Sequence, residues 1–146
     1  MDPILKLKRL PHGEGLPLPS YTTPGAAGMD IASAESIKLF HGNTARLATG
    51  FAVEVPEGFE LQIRSRSGLA AKHGVFVTNG IGTIDSDYRG ELIVILSHLG
   101  RNAHQIERGD RIAQLVLAPV VRASVAEVAA LSETVRGEGG LGSTGR

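Results

Sequence analysis

Hydrophobic positions fall in short runs along the chain, many alternating with polar ones, and nowhere keep the three-to-four-residue spacing of a long amphipathic helix. Leu5 and Leu7 alternate with Lys6 and Lys8, which predicts a short, half-exposed first strand. Proline and glycine punctuate residues 11–28, predicting an irregular surface arm. The stretch AAGMDIAS, Ala26 to Ser33, places Asp30 at the start of another short strand. From Ile37 to Arg66, hairpin follows hairpin: Phe51, Val53 and Val55 share a face, and Phe59, Leu61 and Ile63 share one across the Pro56-Glu57-Gly58 turn. Ser67 reads as the N-cap of one helical turn over 69–72, closed by Gly74. Residues 75–78 and 92–96 read as buried strands flanking a polar hairpin, Asn79 to Glu91. A turn follows at Gly100-Arg101-Asn102, and Arg111 to Val120 carries the last strong strand, with the run IAQLVLAPV. Residues 121–134 have a weak helical pattern and predict at most a short helix. Short strands at regular intervals predict an all-β fold, a sandwich or jelly roll.

Composition narrows the setting. A chain of 146 residues is long enough for one domain with a real core, and 19 glycines with 4% aromatics predict an aliphatic core and many loops. Fifteen basic residues balance fifteen acidic ones, so no global field favours nucleic acid or an anionic membrane. There is no cysteine, no N-terminal apolar signal region and no apolar run of membrane-spanning length, so the expected setting is soluble and cytoplasmic. The five histidines (His12, His41, His73, His98 and His104) form no i,i+3 or i,i+4 pair, and without cysteine no zinc site is expected.

Two stretches carry chemistry. NGIGTIDSDYRGE, Asn79 to Glu91, sets an amide, glycines, two carboxylates, a tyrosine and an arginine between two apolar runs, more than a plain turn needs. The tail RGEGGLGSTGR, Arg136 to Arg146, is glycine in five of its eleven positions. Such an end is costly to order and suits a disordered terminus, yet its free N–H groups, hydroxyls and arginines equally suit a phosphate-gripping loop. Spacing alone leaves both open.

With the tail in view, the chain resembles the trimeric dUTP diphosphatase (dUTPase) family. Five motifs stand in the family's order from residue 27 to residue 145: AGMDIAS, RSRSGLA, NGIGTIDSDYRGE, RGDRIAQLVLAPV and RGEGGLGSTG. The resemblance implies a distorted jelly roll, the dUTPase-like β-clip, in a homotrimer with active sites at subunit interfaces. It divides the chain into a β domain, 1–135, and a glycine-rich arm, 136–146, that closes over a neighbouring subunit's site. The implied reaction takes dUTP and water to dUMP and pyrophosphate with Mg²⁺ on the triphosphate, limiting uracil in DNA and supplying dUMP for thymidylate synthesis. No nucleic-acid or membrane partner is implied.

Residue by residue, Asp85 matches the carboxylate that activates water for attack on the α-phosphorus. Asp87 reads as a turn-capping residue. Tyr88 matches the residue on which deoxyribose lies, leaving no space for a 2′-hydroxyl, and Asn79 the amide that meets uracil. Gly82, Thr83 and Ile84 share that substrate-binding hairpin, where Gly80 and Gly82 permit close backbone approach. Arg66, Ser67, Gly68 and Gln114 match phosphate contacts, although by spacing alone Arg66 is a solvated strand-end charge. Arg136 matches the γ-phosphate arginine, and Gly142, Ser143 and Thr144 the loop that wraps that group. No side chain is implied as a direct Mg²⁺ ligand; Asp30 either acts on the metal's waters and polar neighbours or pairs with Arg111.

Two rival functions are a dCTP deaminase-like enzyme, which would use a glutamate and lack the full arm, and a non-catalytic dUTP-binding regulator. Both fit TIDSDYRG with an intact arm less well. The departure from the family pattern is Leu141, where an aromatic usually covers the uracil. Leucine covers the ring without stacking, forgoing roughly 0.5–1.5 kcal/mol. Leu141→Phe is therefore expected to lower the KM for dUTP several-fold or less at similar kcat; steady-state kinetics giving identical KM for both chains would contradict this.

Overall fold

The computed structural model describes residues 2–145. Its strands are β1 (Lys6–Arg9), β2 (Ser20–Tyr21), β3 (Met29–Ala32), β4 (Ile37–Leu39), β5 (Thr44–Glu54), β6 (Phe59–Arg64), β7 (Val75–Val77), β8 (Ile81–Ile84), β9 (Glu91–His98), β10 (His104–Ile106) and β11 (Arg111–Pro119). One helix, α1 (Ser67–His73), and a 3-10 turn (Pro11–Gly13) complete the described elements. The strands form a four-stranded sheet, β1-β5-β9-β7, a five-stranded sheet, β2-β3-β11-β6-β8, and the pair β10-β4, all antiparallel. No helix among the described residues is long and apolar enough to cross a membrane.

Period-two patterning builds the core. Leu92, Val94 and Leu96 of β9 point inward and meet Leu61 and Ile63 of β6 and Leu115 of β11 from the other sheet in one aliphatic cluster. Phe51, Val53, Val55, Leu61 and Ile63 are buried as their alternation predicts, but the expected run of hairpins over 37–66 does not form: β4 pairs with β10, β5 with β1 and β9, and β6 with β11 and β8 in the other sheet. The jelly-roll sandwich expected from the short strands is what forms.

Four local expectations change. The stretch 79–91 is not a closed hairpin. β7 and β9 do pair, Val77 opposite Leu96, but between them the chain leaves that sheet and lays β8 along β6 in the other. Gly80, at φ 76°, makes the exit turn, and Gly82 has its Cα against Ile63, where a side chain would crowd it. Ser67 is the first helical residue, not the cap; Arg66 holds the cap position without a side-chain cap bond, and the helix runs to His73 before Gly74 closes it at φ 67°. Residues 121–134 form no helix. Val121, Val125 and Leu131 are exposed with no surface of their own chain to bury against, and so short a helix needs such packing.

The segment 11–28 is irregular but not loose. Gly13 sits on Gly50 so closely that a Cβ on Gly13 would lie 2.3 Å from the Gly50 carbonyl oxygen. Leu16 is buried with Phe51 and Ala32. Arg9 donates to the carbonyls of Gly13 and Leu16 at 2.6 and 2.7 Å, and Arg108 to those of His12, Glu14 and Ala34 at 2.8, 2.6 and 2.8 Å. These bonds satisfy carbonyls that no strand partner reaches.

Three histidines that sequence spacing kept apart meet at the end of the four-stranded sheet. His98 is fully buried; its Nε2 lies 2.7 Å from the Asn102 carbonyl and its Nδ1 accepts from the Gly100 N–H at 3.1 Å. The rings of His73 and His104 lie 4.4 Å apart, and His98 is 6.5 Å from His104. Burial, reinforced by His73 and His98 and opposed by Asp110, pushes the His104 proton affinity below its ordinary value of 6.5. The unfolded chain therefore binds that proton more tightly, so stability held above pH 6.5 is lost as pH falls from there through the lowered folded value. His104→Gln is expected to reduce the fall in melting temperature between about pH 7 and about pH 5; equal falls in the two proteins would contradict it.

Candidate active site

The centre of the five-stranded sheet brings one group of site residues together. Asp30 on β3 and Arg64 at the end of β6 lie on either side of Gln114 on β11. Asp30 Oδ1 accepts from Arg66 Nε at 3.1 Å and Oδ2 from Arg111 Nη1 at 3.0 Å, while Arg66 Nη1 also donates to the Arg111 carbonyl at 3.0 Å. Each guanidinium carries five N–H donors, and these bonds use two on Arg66 and one on Arg111. One carboxylate thus holds two cations side by side and leaves the corner with an excess of positive charge. Ser67 and Gly68 open α1 beside it, both exposed, with the N–H groups that begin a helix. The Asp30–Arg111 pair is present, and Arg66 is half-buried and bonded, not a solvated end charge.

Gln114 finds a partner inside the chain. Its Nε2 donates to the Ser65 carbonyl at 3.0 Å, and its amide lies against Gly28, where a Cβ would come within 2.6 Å of Oε1. Ser65 in turn accepts from the Val77 N–H through Oγ at 2.8 Å, tying the end of β6 to the other sheet. Sequence reasoning missed this role of Ser65; a hydroxyl between two arginines at a strand end was the only sign.

The second group stands on β8 and the turn after it. Asp85 to Tyr88 is a tight turn closed by the Tyr88 N–H on the Asp85 carbonyl at 3.2 Å. Arg89 Nη1 fastens it by donating to the carbonyls of Ser86 at 2.7 Å and Tyr88 at 2.9 Å. Asp85 is exposed at the first turn position, and Asp87 is exposed within the turn. Thr83 is exposed, Ile84 half-buried, and the Asn79 amide lies over buried Gly82. Tyr88 Oη donates to the Glu91 carbonyl at 2.8 Å. An open cleft of about 930 Å³ runs along this turn. Its walls carry Glu54, Glu57, Glu60, Asp85 and Asp87 against only Arg89 and Arg122, which suits a base and repels a triphosphate.

The two groups do not meet within the chain. β8 runs antiparallel to β6, with Ile81 opposite Arg64 and Ile84 opposite Leu61. Asp85 therefore continues beyond Leu61 while Arg66 continues beyond Arg64, in opposite directions. Six residues of strand at about 3.3 Å each put their backbones roughly 20 Å apart. The carboxylate of the basic corner is taken up by its own arginines, and the cleft has two arginines against its five carboxylates.

The tail residues form a third group. Arg136 Nε donates to the Gly139 carbonyl at 2.7 Å, and the Ser143 and Gly145 N–H groups bond the carbonyls of Gly140 and Gly142. Arg136, Gly142, Ser143 and Thr144 are exposed. Leu141 is fully exposed with φ 47°, a left-handed conformation costing roughly 1–2 kcal/mol for a side-chain-bearing residue. Arg146, the last residue of the expected arm, lies outside the described residues.

Comparison with known proteins adds to this geometry. A sequence model of the dUTPase family matches residues 14–145. The chain is 58% identical to a deoxyuridine 5′-triphosphate nucleotidohydrolase of Rhizobium etli over 98% of its length and 94% of the relative's. It is 56% identical to that of Zymomonas mobilis over 97% of both chains. It resembles the solved dUTPase of Staphylococcus bacteriophage 80alpha with dUpNHpp, with TM-score 0.85, 31% identity and coverage of 98% and 99% of the two chains. The dUTPase of S. aureus phage phi11, solved as a point mutant that coordinates a structural Mg(II) ion, superposes with TM-score 0.79 at 26% identity, covering 89% and 99%.

Proposed function

The chain belongs to the dUTPase family and hydrolyses dUTP, and from that premise we propose that no single copy holds a complete active site. Asp85 and Tyr88 of one protomer face the Asp30–Arg66–Arg111 corner of a neighbour in a homotrimer. The observation that carries this is the separation of roughly 20 Å that the β6–β8 register imposes between base and cations. The phage 80alpha dUTPase with the dUTP analogue dUpNHpp is consistent with dUTP as the substrate.

In this assembly Asp85 orients a water and takes its proton as the water oxygen bonds the α-phosphorus. The bond from that phosphorus to the bridging oxygen breaks, and pyrophosphate leaves with the electron pair. Arg66, Ser67, Gly68 and Gln114 hold the phosphates, and Arg111 joins them as a second guanidinium aimed by Asp30. Asn79 and the backbone of Gly82, Thr83 and Ile84 meet uracil, while Tyr88 lies under the deoxyribose. The arm 136–146 closes over the site beside the 1–135 domain: Arg136 reaches the γ-phosphate, Gly142, Ser143 and Thr144 wrap it, and Leu141 covers the base. Charge-assisted bonds offset the ordering entropy of the arm only when substrate is present.

dUTPases are metal-dependent. Both oxygens of Asp30 are engaged by arginines, and no group of three or more His, Asp or Glu among the described residues is placed to hold a metal. This donor set suits Mg²⁺ that arrives on the triphosphate and keeps its waters, with Asp30 near it only through the arginines. The metal supplies charge neutralisation on the phosphates; the enzyme works in the cytoplasm.

Pyrophosphate release from dUTP, dCTP, dTTP and UTP, each with Mg²⁺ and with EDTA, tests the reading. Release from dUTP alone, slowed by EDTA, is expected, with kcat falling about 10²–10⁴-fold in Asp85→Asn while dUTP still binds. Ammonia from dCTP would place the chain among deaminases, and full activity of Asp85→Asn would remove the proposed base.

A further inference from the structure

Tyr88 is held in two ways that sequence motifs do not reveal. Its hydroxyl is tethered to the Glu91 carbonyl at 2.8 Å. Its ring also lies directly across Gly90: a Cβ there would stand 2.3 Å from Oη, 2.5 Å from Cζ and 2.9 Å from Cε2. No side chain other than hydrogen leaves room for the ring in this position. The backbone of Gly90 is not in the left-handed region, so the glycine is not needed for its φ.

The floor beneath the ring is itself fastened. The Val53 N–H donates to the Gly90 carbonyl at 3.2 Å, and Glu91 sits opposite Ala52 across the β5–β9 pair. Glu91 Oε1 accepts from the Gly50 N–H at 2.8 Å and lies 2.6 Å from His12 Nε2. Thr49 Oγ1 donates to the Leu92 carbonyl at 2.7 Å. Tyr88 itself is 41% exposed, so the ring is clamped from beneath and at its tip while keeping surface for a ligand.

We infer that Gly90, with the Glu91 carbonyl, is a positioning element that sets the plane of Tyr88 and thereby selects deoxyribose over ribose. The inference rests on Tyr88 being the residue that meets the sugar. The three atoms nearest to a methyl group on Gly90 all belong to the far end of the Tyr88 side chain and none to the backbone, so the ring gives way first. The 2′-hydroxyl is rejected by lack of space, and tilting the ring toward solvent creates that space. The cost of a displaced or off-rotamer aromatic corresponds to about a two- to tenfold change in discrimination.

The test is Gly90→Ala, with kcat/KM measured for dUTP and UTP. A second readout follows the ring itself. The chain has two tyrosines and no tryptophan, so in a Tyr21→Phe background the near-ultraviolet circular dichroism band of tyrosine reports Tyr88 alone. Gly90→Ala is expected to melt near the parent temperature, to lose about two- to tenfold in dUTP-over-UTP preference and to weaken that band. An unchanged preference overturns the inference, and so does a lost preference with an unchanged band, because the loss would not have passed through Tyr88. Tyr88→Ala, measured in parallel, separates the premise from the inference. If it retains full discrimination, the sugar role of Tyr88 falls and the inference falls with it; if it loses discrimination while Gly90→Ala does not, only the positioning role falls. Should Gly90→Ala fail to fold, Tyr88→Phe decides by removing the tether: reduced discrimination supports the clamp, and a ratio equal to the parent's overturns it.

Discussion

The pairing of Ile81–Ile84 with Leu61–Arg64 governs where every reactive group can stand. An antiparallel register is a rigid ruler, since each step along the pair moves the two strands' continuations in opposite directions. Here it sends Asp85 past one end of the pair and Arg66 past the other. Because the β6 side of the pair is built into the core through Leu61 and Ile63, slipping the register by one residue would turn those side chains to the wrong face. The separation of base from cations is therefore a property of the core and not of a mobile loop.

Electrostatics follow from that division. At the corner, one aspartate spans two arginines, so like charges that would repel across a short distance are held close with a carboxylate between them. In this half-buried group the desolvation of three charges offsets much of their attraction, so its value lies in aiming donors. In the cleft, carboxylates crowd around Asp85, which keeps that surface unattractive to a polyphosphate until a cationic surface meets it. Each half lacks what the other half has. Joined across an interface in the proposed homotrimer, they would supply a base, a sugar platform and a cationic cradle around one triphosphate.

Much of this was legible in sequence, for reasons that differ by element. β5, β6 and β9 announce themselves because one face is buried and the other is not, and period-two alternation records that directly. β8 escaped because four residues with a glycine carry no pattern, and its sheet is chosen by where Gly82 can approach Ile63. The cap at Ser67 was misplaced by one residue, a shift that local propensity cannot resolve. Residues 121–134 lost their suggested helix for want of a partner surface, which is tertiary information. Asp85, Tyr88 and the arginines were proposed through motif order; the Ser65 bond and the support of Tyr88 by Gly90 and Glu91 depend on contacts that no spacing encodes.

The central claim is that a working site needs two chains, and subunit complementation tests it most directly. Asp85→Asn and Arg66→Ala chains, each inactive alone, would be unfolded together, refolded as an equal mixture and assayed on dUTP. In a ring where each site takes Asp85 from one chain and Arg66 from the next, random assembly leaves about one site in four with both native residues. Recovery of about a quarter of wild-type activity is the predicted result. Mixed trimers no more active than the separate variants would contradict it, because they would place both residues of each site on one chain.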